Sequence, residues 1–206
     1  MNYADITHLS LVYSDRTNDV ELSNELPRLV SLVESRINKV ILSYNMSTRQ
    51  NFTLDGVTKE FDLPANIGQS INALKVIDNN TGSTYATLTR VPQVAMDVVE
   101  QHGLKEDLYC IENKKIRTLL PYADTFTLRI DFMQSVPSLY TEGTNWLSDS
   151  HADCYVFGLT AEIYAYTKNS DGFNVWNARF LDAIEKIELN SDSILWNNMP
   201  LVTRVG

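Results

Sequence analysis

A chain of 206 residues, 44% hydrophobic and 21% charged, holds enough apolar content for one globular domain with a smaller lobe attached. Its 26 acidic against 17 basic residues give a formal charge of −9, which argues against a phosphate-binding surface, because that needs clustered Lys and Arg. No run of about 18 uncharged apolar residues occurs and the first residues lack the pattern of a leader, so the chain is expected to stay in the cytoplasm where it is made.

Between Tyr3 and Tyr13, Ile6, Leu9 and Val12 or Tyr13 stand at three-to-four spacing, predicting a short helix that ends before Ser14. After a polar break, Leu26, Leu29, Val30, Val33, Ile37, Val40, Ile41 and Tyr44 repeat at helical spacing. Pro27 is placed in the first turn of that helix, with Asn24 as its cap. From about Arg49 to Gln134 the period falls to two and turn residues multiply. Asp55-Gly56 reads as a hairpin turn between Asn51–Leu54 and Val57–Leu63, and Pro64 ends the second strand. Ala73–Asp78 and Thr84–Thr89 flank a second turn at Asn79–Ser83; Val94–Gln101 reads as a short helix closed by Gly103. Tyr109–Ile111 and Ile116–Leu120 make a third hairpin around Glu112–Lys115. In the last strand Phe126, Leu128, Ile130 and Phe132 alternate with Thr127, Arg129 and Asp131, so one face packs and the other meets water.

The final third returns to helix. Ser150 and Asp153 stand three apart and are read as a capping box, followed by a stripe of Val156, Leu159, Ile163 and Tyr166. Beyond Asn169-Ser170-Asp171-Gly172 a second helix carries Phe173, Trp176, Phe180, Ile184 and Ile187 on one side, with Asp182, Glu185 and Glu188 largely opposite. The short connection implies an antiparallel helical hairpin. Past Ser193 the periodicity fails. The fold expected is α+β, with N- and C-terminal helical segments packed together and an inserted antiparallel β-rich lobe. Residues 1–48 and 135–195 make the helical core, 49–134 the lobe and 196–206 an extended tail.

Reactive chemistry is hard to place. His8, His102 and His151 have no second His or Cys three or four residues away. Cys110 and Cys154 are read as buried free thiols. No phosphate-cradling glycine run and no nucleophile elbow occurs. Among the acids, Glu162 lies among Tyr155, Tyr164 and Tyr166, where apolar surroundings would raise a carboxyl pKa; a solvated helix face is the simpler reading. No catalytic residue, metal or cofactor is expected. Trp146 and Trp176 are assigned to the core. Trp196 lies past the last stripe, with Met199, Leu201 and Val202 beside it, so this tail either folds back or meets a partner surface.

Four groups of residues carry a resemblance. They are Asn24-Glu25-Leu26-Pro27 leading into Leu32–Asn38; Phe61-Asp62-Leu63-Pro64-Ala65, with Asn66 near an expected Asp; Tyr109–Glu112 with Ile116–Pro121; and Thr144-Asn145-Trp146-Leu147, then residues 149–166 and Trp176–Phe180. In this order, over nearly the whole chain, they resemble the head-to-tail adaptor family of short-tailed phages. The resemblance implies a structural virion protein at the head-tail junction, assembled in the host cytoplasm. It implies a dodecameric ring beneath the portal protein, through which viral DNA passes without specific binding, with the β-rich lobe toward tail nozzle or fibre proteins and no membrane contact. Trp196, Met199, Leu201 and Val202 would then reach the portal or a neighbouring subunit. Twelve such copies carry roughly −108, a sign that lets DNA slide without sticking. The competing readings are a tail-associated peptidoglycan hydrolase, which needs two carboxylates in a cleft, and a monomeric module that binds a tail fibre or host protein.

Overall fold

The structure, a computed structural model, describes residues 1–41 and 46–197, apart from the side chains of residues 69 and 191–197. In chain order its elements are α1 (Tyr3–Tyr13), α2 (Val20–Val40), β1 (Ser47–Thr53), β2 (Glu60–Asp62), β3 (Ile67–Asp78), β4 (Thr84–Arg90), α3 (Gln93–Gln101), β5 (Leu108–Glu112), β6 (Lys115–Thr118), β7 (Phe126–Gln134), α4 (Leu139–Glu142), α5 (Trp146–Ser150), α6 (Ala152–Tyr166) and α7 (Ser170–Asn197). The fold is α+β. It divides into a helical unit, Met1–Met46 with Ser135–Gly206, and a sheet unit, Ser47–Gln134.

In the helical unit, α1 opens on a capping box in which Asn2 Oδ1 accepts from Asp5 N at 2.9 Å and Asp5 Oδ2 from Asn2 N at 3.3 Å. Its buried face is Ile6, Thr7, Ser10 and Leu11, not the stripe running through Leu9 and Val12; Val12 and Tyr13 stay 46% exposed. The reason is size and self-satisfaction. Ser10 Oγ donates to Ile6 O at 2.9 Å and Ser14 Oγ to Ser10 O at 2.8 Å, so small hydroxyls go under without an unpaired polar group. They let the helix approach α6, where Ser10 Oγ comes within 3.4 Å of the Val156 carbonyl.

The second helix begins earlier than its apolar stripe indicates. Asp19 caps it, accepting from Leu22 N at 3.0 Å, which leaves Pro27 inside the helix. That proline removes the bond to the Ser23 carbonyl, a loss of about 3 kcal/mol in an isolated helix. Leu22, Leu26, Leu29, Val30, Val33 and Ile37 are all buried, each contributing about 1.5–3 kcal/mol, and together they outweigh it.

The capping box expected at Ser150 does not form. Ser150 ends α5, and His151 precedes α6 without a side-chain bond; the box stands five residues earlier, between Asn145 and Ser148. Helices α6 and α7 form the antiparallel hairpin, since Tyr164 lies against Gly172 and Phe180 against Gly158. A Cβ on Gly158 would stand 2.8 Å from Val33 Cγ1 and 2.9 Å from the Phe180 ring, so glycine here lets α2 and α7 close on α6. Gly158→Val is expected to destabilise the protein by about 2–3 kcal/mol through overpacking, read as a lower urea midpoint; an unchanged midpoint would contradict this packing.

The sheet unit has seven strands in the order β1-β7-β3-β4-β5-β6-β2. All pairs are antiparallel except β4 with β5, joined over Thr89↔Leu108 and Arg90↔Tyr109. The crossover through α3 returns the chain in the same direction, which an all-hairpin lobe would not do. The turn at Asp55-Gly56 is real but joins no hairpin: β1 pairs with β7 and β2 with β6. Asp55 accepts from Val57 N and from the Thr58 amide and hydroxyl, led by that hydroxyl in holding its carboxyl down at about 2. Gly56 N donates to the Tyr122 carbonyl, which steers the chain away instead of folding it back.

The two other hairpins form as their turn residues indicate. Gly82 has φ +68°, and Asn113 and Lys114 have φ +48° and +63°. Leu74, Val76, Leu88, Leu128, Ile130 and Phe132 supply the centre of the sheet core. A smaller core under α3 holds Met96, Leu108, Cys110 and Leu119. Cys110 and Cys154 are free and buried, and burial pushes the Cys154 thiol up to about 12.

Candidate functional site

The polar residues of the helical unit gather into two clusters, both tied to α2. In the first, the Glu34 carboxylate, 8% exposed, accepts from Leu139 N at 2.6 Å and from the Tyr155 hydroxyl at 3.3 Å. Asn145 Nδ2 donates to that hydroxyl at 2.8 Å and to the Pro137 carbonyl at 2.7 Å. One turn along α2, Asn38 Oδ1 accepts from Val136 N at 2.7 Å. Within segment 136–145 only the short α4 pairs regularly, and these side chains satisfy the Val136 and Leu139 amides and the Pro137 carbonyl, which lie outside that pairing. Burial pushes Glu34 above the ordinary carboxyl range, against the weaker pull of the Leu139 amide. Burial likewise raises the Tyr155 phenol.

In the second cluster Arg36 donates to Glu162 Oε1 at 2.6 Å, donates to Asn177 Oδ1, and lies 4.5 Å from the centroid of the Phe180 ring. One guanidinium thereby ties α2 to both helices of the α6–α7 hairpin, using its fork and its flat face together. Trp176 continues the contact on α7, stacked on Tyr13 with centroids 5.1 Å apart and under Arg179 at 4.6 Å.

Several sequence-derived candidates change meaning here. Glu162 is neither a solvated face nor a free acid but half of an ion pair, its side chain 15% exposed. With Glu25 it borders a groove of about 260 Å³ also lined by Leu29, Leu32 and Tyr166, and its Oε1 already receives the Arg36 N–H. Trp146 and Trp176 are half-buried, not fully in the core. His8 and His102 are exposed, the latter against the Val98 carbonyl. Asp182 and Glu185 are exposed and Asp182 pairs with Lys186. Trp196 lies in the last turn of α7, where the backbone alone is described, and Met199, Leu201 and Val202 fall outside the described residues. Among the described residues no group of three His, Cys, Asp or Glu is placed to hold a metal, and no helix is long and apolar enough to cross a membrane.

Sequence reasoning missed Glu34, although a signal exists. Glu34 stands four residues after Val30 and three before Ile37, on the buried stripe itself, where a carboxylate needs donors. Glu34, Arg36 and Asn38 all belong to the Leu32–Asn38 segment that carries the resemblance noted above, and Tyr155, Glu162 and Asn177, which bond Glu34 and Arg36, belong to its later segments, as does Asn145 behind Tyr155.

Fold and clusters together define a structural scaffold, in which the polar residues of separated segments tie helices to each other. Over residues 1–204 the chain matches the family described as the SU10 adaptor protein. It belongs to that family of phage adaptors, which are structural components of the virion. No curated protein matches the chain.

Proposed function

We propose that the chain is the ring-forming adaptor that joins the portal to the tail of a short-tailed phage and leaves a channel for the genome. Membership of the adaptor family across residues 1–204 carries this reading. A dodecameric ring is the stoichiometry proposed, with heterologous contacts between identical copies closing by rotation. At −9 per subunit the ring presents DNA with like charge, which favours passage over binding. The helical unit, taken as 1–48 with 135–195, forms the ring core; the lobe, 49–134, faces nozzle or fibre proteins. Assembly takes place in the host cytoplasm and the product is the head-tail junction of the virion.

Residues 196–206 are assigned to the portal or a neighbouring copy, with Trp196, Met199, Leu201 and Val202 as the contact residues. Apolar side chains of this size gain roughly 25 cal/mol for each Å2 they remove from water. Deleting 196–206 is therefore expected to abolish co-sedimentation with portal rings while the remaining helices keep their circular dichroism. Unchanged portal binding and ring formation would remove the tail from the account.

A further inference from the structure

The outward face of β1, β7 and β3 concentrates positive charge in an acidic protein. Register places Arg49 opposite Asp131 and Lys75 opposite Arg129. Arg49 Nε, Lys75 Nζ and Arg129 Nε lie 3.3, 3.3 and 3.4 Å from the Asp131 carboxylate. One carboxylate cannot satisfy three cations. Lys75 alone makes a hydrogen bond to it, while Arg129 Nε and Asp131 Oδ1 are buried without one among the described residues. Asn51, Thr53, Thr127 and Thr87 surround the cluster on the same face, so the face carries an excess of two positive charges, and Arg49 stands 73% exposed.

The complement lies in the chain itself. The sheet unit has 9 basic against 11 acidic residues, or −2, whereas the helical unit has 8 against 15, or −7. We propose that this sheet face is the docking surface for the acidic helical unit of a second copy. The inference rests on the ring reading above and deepens it by naming the surface. Contact of unlike faces is heterologous, the kind that closes rings and not isolated dimers, and unlike charge steers and orients it. Nucleic acid is the less fitting occupant, because strong binding takes on the order of 6–10 phosphate contacts and the face offers three cations.

The test compares full-length Arg49→Glu with Arg28→Glu. The latter makes the same charge change at an 80% exposed side chain of α2. Asn51→Glu adds an acid to the same face, opposite Arg129, while leaving Arg49, Lys75, Arg129 and Asp131 themselves unchanged. Self-association is followed by sedimentation velocity, alone and on portal rings, at low and high salt, with thermal melts to show that each variant folds. Arg49→Glu and Asn51→Glu are each expected to raise the concentration for half-assembly about tenfold, which is about 1.4 kcal/mol. Arg28→Glu adds acid to the complementary helical unit and should not raise it, and salt should weaken the wild type. Assembly that ignores both face variants overturns the inference and leaves the adaptor reading standing. A wild type that never self-associates, even on portal rings, overturns both. Reduced retention on DNA with unchanged assembly makes the face a phosphate contact and also overturns the inference.

Discussion

Replacing Glu34 by alanine is expected to lower the unfolding free energy by about 3 kcal/mol, the cost of leaving buried donors unpaired. The Leu139 amide and the Tyr155 hydroxyl both lose their acceptor, and Asn145 then orders a hydroxyl that anchors nothing. Glu34→Gln should be far milder, since its side-chain oxygen accepts the same two bonds without a charge. The pH dependence separates the two contributions. Burial raises the folded-state pKa of Glu34 above its ordinary value, so the stability this group contributes is fully present below the ordinary glutamate range. It is lost as pH rises through the folded pKa. Glu34→Gln mimics the protonated form and should gain stability relative to wild type as pH rises from the ordinary glutamate range through the raised folded-state pKa. Melting curves of the two proteins across that range provide the check; a difference that stays flat or runs the other way would mean that the hydrogen bonds outweigh burial.

Arg36→Met is expected to cost about 2–3 kcal/mol. The substitution keeps an apolar stem over Phe180 but removes both hydrogen bonds of the guanidinium. Glu162 is then left 15% exposed without its cation, and breaking one side of such a pair costs more than the pair contributes. Adding Glu162→Gln should recover part of the loss, giving a coupling of about 1 kcal/mol or more in a double-mutant cycle. Strict additivity in urea unfolding would show that the two side chains do not act together.

Much of the fold is legible along the chain because it is local. The α6–α7 hairpin, α3 closed by Gly103, and the turns at Asn79–Ser83 and Asn113-Lys114 follow from spacing and turn chemistry within a few residues. What escapes is set by partners far away. Strand β1 finds β7, so Ser47 pairs with Met133, and a strong turn at Asp55-Gly56 suggests the wrong neighbour. The face of α1 follows from how closely hydroxyls can approach α6, which apolar spacing does not report. The Glu34–Tyr155–Asn145 cluster joins positions more than a hundred residues apart. Its one local trace is a carboxylate on an apolar stripe.

The most direct test of the adaptor account is a cryo-EM reconstruction of the purified chain bound to portal rings from its phage. The account predicts a closed ring of about twelve copies beneath the portal, with residues 196–206 in contact with the portal or the next subunit. Portal rings that bind no copies, while the chain remains a monomer with a ligand in the groove beside Glu25 and Glu162, would contradict it.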